Sequence, residues 1–302
     1  MRLMTAGRRG KCRPVCNRKT CGRQQGMKEE GFMITSAANQ KVKKIVQLNK
    51  KAVERKKEDV FVAEGVKMFL EAPEGSLCEV YVSENLSGFP EGQGEKVRRK
   101  LEMCGYETVS EEVFRKMSDT QTPQGILCVV RQRHYTMKEM LQKRECPLFL
   151  VLENLQDPGN LGTIFRAGEG AGVCGVVMSR DTADIYNPKA IRATMGSVYR
   201  VPFCYTDHLE EAIGWMKSAG IKVFAAHLKG ERSYDRCDYR KPSAFLIGNE
   251  GKGLTAETAA LADFYVKIPM EGKVESLNAA VASALLVFEA ARQRRKEERS
   301  QV

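Results

Sequence analysis

Three patterns are missing from this 302-residue chain, and each absence removes a class of function. No apolar run approaches the roughly 20 residues of a membrane-spanning helix, so no membrane association is expected. The ten cysteines include no Cys-x-x-Cys pair, and six of the last seven, from Cys78 to Cys237, lie in or beside apolar stretches. A free cysteine in such a place acts as a small buried hydrophobe, which points to a reducing cytoplasm. Cys12, Cys16 and Cys21 are irregularly spaced with no histidine nearby, so we read them as part of an arm and not as metal ligands. The three histidines are scattered and offer neither a Ser-His-Asp arrangement nor a metal cluster.

Acidic residues are absent from positions 1–26, which carry eight Lys or Arg. The net charge of +11 is therefore mostly a property of this tail, with 41 basic against 38 acidic residues elsewhere. No apolar stretch follows Arg8 and Arg9, which argues against a secretory or twin-arginine signal, and Met27 is a candidate start. We expect residues 1–33 to be a disordered basic extension. Apolar residues make up 42% and charged residues 29%, as in globular proteins of two ordinary domains.

Order is expected from Ile34, with Ser36 capping a helix through Leu48 that turns Val42, Ile45, Val46 and Leu48 inward. Strands and helices then alternate to Val130: Phe61–Ala63, a helix over Val66–Leu70, Val80–Val82, a helix over Glu95–Met103, Tyr106–Val109, a helix over Glu111–Met117, and Ile126–Val130. That is the pattern of a small α/β domain over 34–131. Residues 132–146 read as a linker with helix formers at Met137–Lys143. From 147 to 296 a second α/β series places strands at Leu148–Leu152, Gly175–Met178, Arg200–Phe203, Val223–Ala226, Ala244–Ile247 and Tyr265–Ile268. It ends in a helix from Leu277 to about Arg294, leaves 297–302 as a tail, and implies a parallel sheet covered on both faces.

Three segments of this second series run from a short strand into a Gly, Asn and Pro loop and on into a helix: Asn154–Arg166, Phe245–Leu254 and Ile268–Ala280. Loops at the carboxyl ends of strands are where α/β proteins bind ligands. Neither Gly-x-Gly-x-x-Gly nor a Walker-type Gly-x-x-x-x-Gly-Lys-Ser/Thr occurs in the first of the three segments, and Lys252 is followed by Gly253 and Leu254 instead of a metal-binding hydroxyl, which disfavours a nucleoside triphosphate. One such glycine loop would be an ordinary turn; three of one architecture in one domain point to a site.

Together the three segments resemble the motifs of the SpoU, or TrmH-like, branch of the SPOUT RNA methyltransferases. The resemblance extends over nearly everything after Ile34 and is specific after Leu148. It implies an α/β fold whose C-terminal parallel-sheet SPOUT domain carries a deep trefoil knot, preceded by a domain like ribosomal protein L30e, to which Val62-Ala63-Glu64-Gly65 and Thr122-Pro123-Gln124-Gly125 answer weakly. It implies S-adenosyl-L-methionine held by Gly248, Ile268 and Leu277, with Ala226 and His227 near the adenine. By the same resemblance Arg166, which closes an Asn-x-Gly-x-x-x-Arg pattern begun at Asn160, Glu250, Ser276 and Asn278 are site residues. Arg166 is either general base or phosphate-positioning cation, Glu250 could orient Arg166 or the RNA, and Ser276 also suits a helix cap.

The opening helix carries Lys41, Lys43, Lys44, Lys50, Lys51, Arg55, Lys56 and Lys57, a candidate contact for phosphate backbone. The expected function is 2′-O-methylation of rRNA, with tRNA, or a catalytically silent ribosome-assembly role, as alternatives. A homodimer is expected through the final helix, whose Leu277, Val281, Leu285, Leu286 and Phe288 exceed what one sheet contact needs.

Overall fold

A computed structural model describes residues 33–86, 89, 92–141 and 145–300, without the side chains of 296–300. The basic tail, Cys12, Cys16, Cys21, Lys143 and the last residues of the C-terminal tail lie outside the described residues.

The first series forms α1 (Gln40–Lys50), α2 (Ala52–Glu58), β1 (Val60–Glu64), α3 (Val66–Glu71), β2 (Leu77–Ser83), α4 (Gly94–Cys104), β3 (Glu107–Val109), α5 (Glu111–Met117) and β4 (Ile126–Arg131). The four strands make one mixed sheet in the order β1-β4-β2-β3. Asn39, and not Ser36, caps α1, accepting from Lys41 N–H at 2.9 Å. Extended backbone at Lys51 divides the expected single basic helix into α1 and α2. Side chains alternate across β1 and β4 as the pleat requires. Val60, Val62, Leu127 and Val129 pack under Ile45, Leu48 and Phe114 of α1 and α5. Phe61, Ala63, Cys128 and Val130 face the other way, into a core shared with the rest of the chain.

The second series forms α6 (Met137–Leu141), β5 (Leu148–Leu152), α7 (Pro158–Ala171), β6 (Gly175–Ser179), α8 (Pro188–Thr194), β7 (Phe203–Thr206), α9 (Leu209–Ser218), β8 (Lys222–Ala226), β9 (Arg232–Ser233), β10 (Ser243–Ile247), α10 (Ala256–Ala260), β11 (Phe264–Lys267) and α11 (Ala279–Ser300). Its seven strands are all parallel, in the order β7-β6-β5-β10-β8-β11-β9. Residues of β5 and β10 are buried throughout, because helices cover both faces. The strand expected at Arg200–Phe203 begins instead at Phe203, since Ser197–Tyr199 makes one tight helical turn. Helices α7 and α8 cross where Gly162 leaves room: a Cβ there would lie 2.3 Å from the Ala190 carbonyl oxygen. Cys128, Cys174 and Cys237 are buried, Cys146 and Cys204 half-buried, and Cys78 and Cys104 exposed, so fewer cysteines are buried than the six that lie in or beside apolar stretches.

Arg55 corrects the basic-face expectation. It is 3% exposed, and its guanidinium bonds Asp184 at 2.7 Å and the carbonyls of Leu48 and Asn49 at 2.6 and 3.1 Å. Asp184 precedes α8, so this pair joins the two sheets' halves, as does the Phe61–Tyr186 ring stack at 4.7 Å.

Candidate active site

The strand order sets the site. From β5 the chain winds outward through β6 and β7, then returns to fill the other side, with β10 between β5 and β8. Because every strand is parallel, the loops after β5, β8, β10 and β11 emerge along one edge at this reversal.

The loop after β5 is held from within. Asn154 adopts a left-handed φ of 54°, a conformation in which Asn is favoured over bulkier residues, and exchanges hydrogen bonds with the Ser179 hydroxyl. Asp157 caps α7, accepting from Asn160 N–H at 2.8 Å, and Pro158 starts the helix where its missing N–H costs nothing. The second Asp157 oxygen meets Lys189 of α8 at 2.6 Å. Those bonds, the Lys189 one foremost, hold the Asp157 carboxyl below the usual range.

Glu250, after β10, reaches across to this loop. Its carboxylate accepts from Gln156 N–H and Asp157 N–H, each at 3.0 Å, and from the Asn160 amide at 3.1 Å. Burial pushes its pKa up, but these bonds outweigh burial and leave it below the usual value. Asn160 in turn accepts from the Asn278 amide at 2.9 Å, and Asn278 Oδ1 caps α11 through Ala280 N–H at 2.9 Å. One polar chain, Asn278 to Asn160 to Glu250, thus ties all three segments together. Asn278 fills the capping position considered for Ser276, which is exposed two residues upstream.

Gly248 has a steric reason to be glycine. Asn249 and Gly253 exchange backbone hydrogen bonds at 3.0 and 2.9 Å, folding the loop so tightly that a Cβ on Gly248 would lie 2.1 Å from the Gly253 carbonyl carbon. Ala226, His227 and Ile268 stand half-buried at the ends of β8 and β11, and Leu277 half-buried before α11. His227 Nδ1 accepts from Lys229 N–H at 3.1 Å, so a neutral ring carries its proton on Nε2. Small and apolar side chains with closely folded backbone suit a cationic, adenine-bearing ligand such as S-adenosylmethionine, since none of these five positions carries a fixed positive charge.

Arg166 lies on the exposed face of α7 and has no ion pair or hydrogen bond among the described residues. Glu250 therefore does not orient it. Of the basic candidates, Lys43, Lys50, Lys51, Lys56 and Lys57 are exposed, Lys41 is bonded to Glu107, and Lys44 to Glu79 at 2.7 Å. Residues that motif reading passed over are Glu153, Asn154, Asp157, Lys189 and Asn249. Glu153, 7% exposed, accepts from Thr255 N–H at 2.8 Å, and Asn249 donates to the Asn154 carbonyl at 2.8 Å. Asp157-Pro158 was the readable signal among them, being a helix cap followed by the first helical proline.

The profile of the SpoU rRNA Methylase family matches residues 147–288, and that of the MRM3-like substrate binding domain matches residues 39–128. The 23S rRNA (guanosine(2553)-2'-O)-methyltransferase RlmP of Bacillus subtilis is 33% identical over 260 residues, spanning 84% of this chain and 97% of that protein. The chain belongs to the SpoU family. An AdoMet-bound rRNA methyltransferase from Sinorhizobium meliloti superimposes with a TM-score of 0.75 at 32% identity, covering 86% of this chain and 97% of that one. The SpoU methyltransferase AviRb from Streptomyces viridochromogenes, in complex with AdoMet, gives 0.75 at 25% identity over 85% and 100%. The SpoU fold of this chain is thus an α/β fold with a parallel C-terminal sheet and an N-terminal substrate-binding domain. No helix among the described residues is long and apolar enough to cross a membrane.

Proposed function

We propose that this protein is an S-adenosylmethionine-dependent RNA 2′-O-ribose methyltransferase that acts on rRNA in the cytoplasm. The observation that carries the reading is the chain from Asn278 through Asn160 to Glu250, which fixes three loops around one edge of the sheet while Arg166, on the helix that begins at this loop, stays exposed. Gly248, Ile268 and Leu277 hold the cofactor, with Ala226 and His227 at its adenine side. S-adenosylmethionine, when bound, supplies an electrophilic methyl group. Asn160, Glu250 and Asn278 act by position, keeping the loops closed, and Ser276 lies within reach of the RNA. Arg166 meets the ribose oxygen and its phosphate as negative charge builds there. A guanidinium does not give up its proton in a protein, so Arg166 acts as the positioning cation and not as the general base.

In this reading residues 34–131 form an L30e-like domain that grips RNA, 147–296 form the knotted SPOUT domain, and Lys43, Lys50, Lys51, Lys56 and Lys57 meet phosphates. The active species is a homodimer. On α11, Val281, Leu285 and Phe288 are 48%, 37% and 44% exposed at helical spacing, and the Phe288 ring lies against the Gly170 end of α7. A second copy covers this stripe and closes the Arg166 face from water; sedimentation at micromolar concentration would show twice the chain mass.

Maps of 2′-O-methylation in rRNA and tRNA from cells with and without the gene test the reading. One rRNA position should lose its methyl group. A loss confined to tRNA moves the substrate to tRNA, and unchanged maps refute the activity.

A further inference from the structure

The two weak sequence motifs of the N-terminal domain are brought together by the fold. Glu64, at the end of β1, binds the loop before β4 at three points: the Ser118 hydroxyl at 2.7 Å, the Thr120 hydroxyl at 3.0 Å and Gln124 N–H at 3.4 Å. Gly65 follows with φ +104°, and a Cβ there would lie 2.5 Å from the Gln124 side-chain oxygen. Gly125 has φ +77°, and a Cβ there would meet Leu86 at 2.9 Å. Gly125, with Gln124 beside it, lines a cleft of about 670 Å³ that the active site described above does not use.

The cleft has an apolar side, Leu86 and Phe89, and an amide and hydroxyl rim, Asn85, Gln121, Thr122 and Gln124. Its carboxylate, Glu111, is already engaged by Arg115 and by the Asn85 amide at 2.5 Å. An aromatic wall beside neutral groups that both donate and accept suits an unstacked nucleobase, which stacks on its face and is read along its edge. The volume falls in the range of small-molecule sites and exceeds what one base needs.

The position of the cleft supplies the link to catalysis. Asp119, in the cleft loop, pairs with Arg192 of α8 at 2.8 Å. Lys189, three residues earlier on that helix, pairs with Asp157 of the loop that carries Asn160. Residues three apart share a helix face, so α8 bolts the cleft loop and the catalytic loop to one side of the molecule.

We infer that this cleft is a second RNA subsite, which takes one unstacked base of the same strand and selects it through Gln121, Thr122 and Gln124. The inference rests on the RNA methyltransferase reading and adds to it where sequence selectivity resides.

Gln121 and Gln124 are exposed, so replacing them spares the core. Methyl transfer from labelled S-adenosylmethionine to rRNA extracted from cells lacking the gene measures the KM for RNA; calorimetry measures cofactor affinity. Gln121→Ala and Gln124→Ala should each raise that KM about tenfold, the size of one lost base-edge contact, with cofactor affinity unchanged. Gln124→Asn, which keeps an amide, should recover part of the loss. Cross-linking of 4-thiouridine-substituted rRNA to the wild-type chain is independent of any folding effect, and adducts should fall on 121–125. KM values within twofold of wild type, with no adduct there, overturn the inference and leave the cleft to a protein partner. A wild-type chain that methylates no RNA overturns the parent reading as well.

Discussion

Gly248→Ala tests the proposed cofactor loop by adding one methyl group. That methyl would sit 2.1 Å from the Gly253 carbonyl carbon, 2.2 Å from Leu254 nitrogen and 2.4 Å from the Gly253 oxygen. All three are backbone atoms, so no side chain can rotate away and the loop itself must open. Overpacking of this kind costs about 1–3 kcal/mol. Opening also strains the paired Asn249–Gly253 bonds, each worth about 1 kcal/mol. Taking about 2 kcal/mol as the part that a ligand must restore to close the loop, the Kd for S-adenosylmethionine rises roughly thirtyfold. The melting temperature falls by about 4–8 °C if the same strain reaches global stability. Gly251→Ala is the control: its Cβ would meet its nearest neighbour, Asn249 Oδ1, at an ordinary 3.7 Å. Calorimetry on both variants decides the matter, and a Gly248→Ala protein that binds within threefold of wild type refutes the steric argument.

Arg166→Ala should lower the rate of transfer by about a hundredfold or more, as loss of a charge-stabilising donor does, and leave the melting temperature unchanged, because the side chain is exposed and unbonded among the described residues. Arg166→Lys should fail too, since an ammonium lacks the planar fork; single-turnover assays read both. The lowered pKa of Glu250 makes the loop acid-sensitive: its contribution is complete above the ordinary carboxyl value of 4.5 and is lost as pH falls through the lower folded value. Glu250→Gln should flatten that acid edge in cofactor titrations and weaken binding at neutral pH, because its new amide donor faces a backbone N–H. Arg55→Met should cost about 3 kcal/mol by stranding Asp184 and two carbonyls, seen as a melting temperature lower by roughly 6–12 °C; an unchanged melting curve would mean the buried pair is not holding the halves together.

How much was legible differs by kind of signal. Buried strands such as Leu148–Leu152 and Ala244–Ile247 read directly, because apolar runs of that length between turn residues admit few other structures. The start of β7 did not, since Tyr199 and Val201 are apolar for a different reason: both are buried in the core shared by the two halves. The candidate site residues were named by motif, yet a motif carries no partners. It named Glu250 and Arg166 without revealing that the carboxylate serves two backbone amides and Asn160 instead of the guanidinium. It named Ser276 as a possible cap where Asn278, two residues on, does that work with one side of its amide while the other side holds Asn160.

Arg55 shows why a charge pattern underdetermines a surface. Among eight neighbouring cations it looks equivalent to Lys56 and Lys57, but α2 turns it inward toward Asp184, a residue 129 positions away that no local reading could supply. A planar guanidinium can satisfy a carboxylate and two carbonyls at once, which an ammonium at the same depth would do less well. The consequence reaches function. With Arg55 to Asp184, Arg192 to Asp119 and Arg200 to Glu71 spanning the two halves, RNA gripped by the N-terminal domain as proposed would be held in a fixed relation to α7. Selectivity can then come from the distance between a gripped base and Arg166, and a substrate whose target ribose lies at another spacing would bind without being methylated.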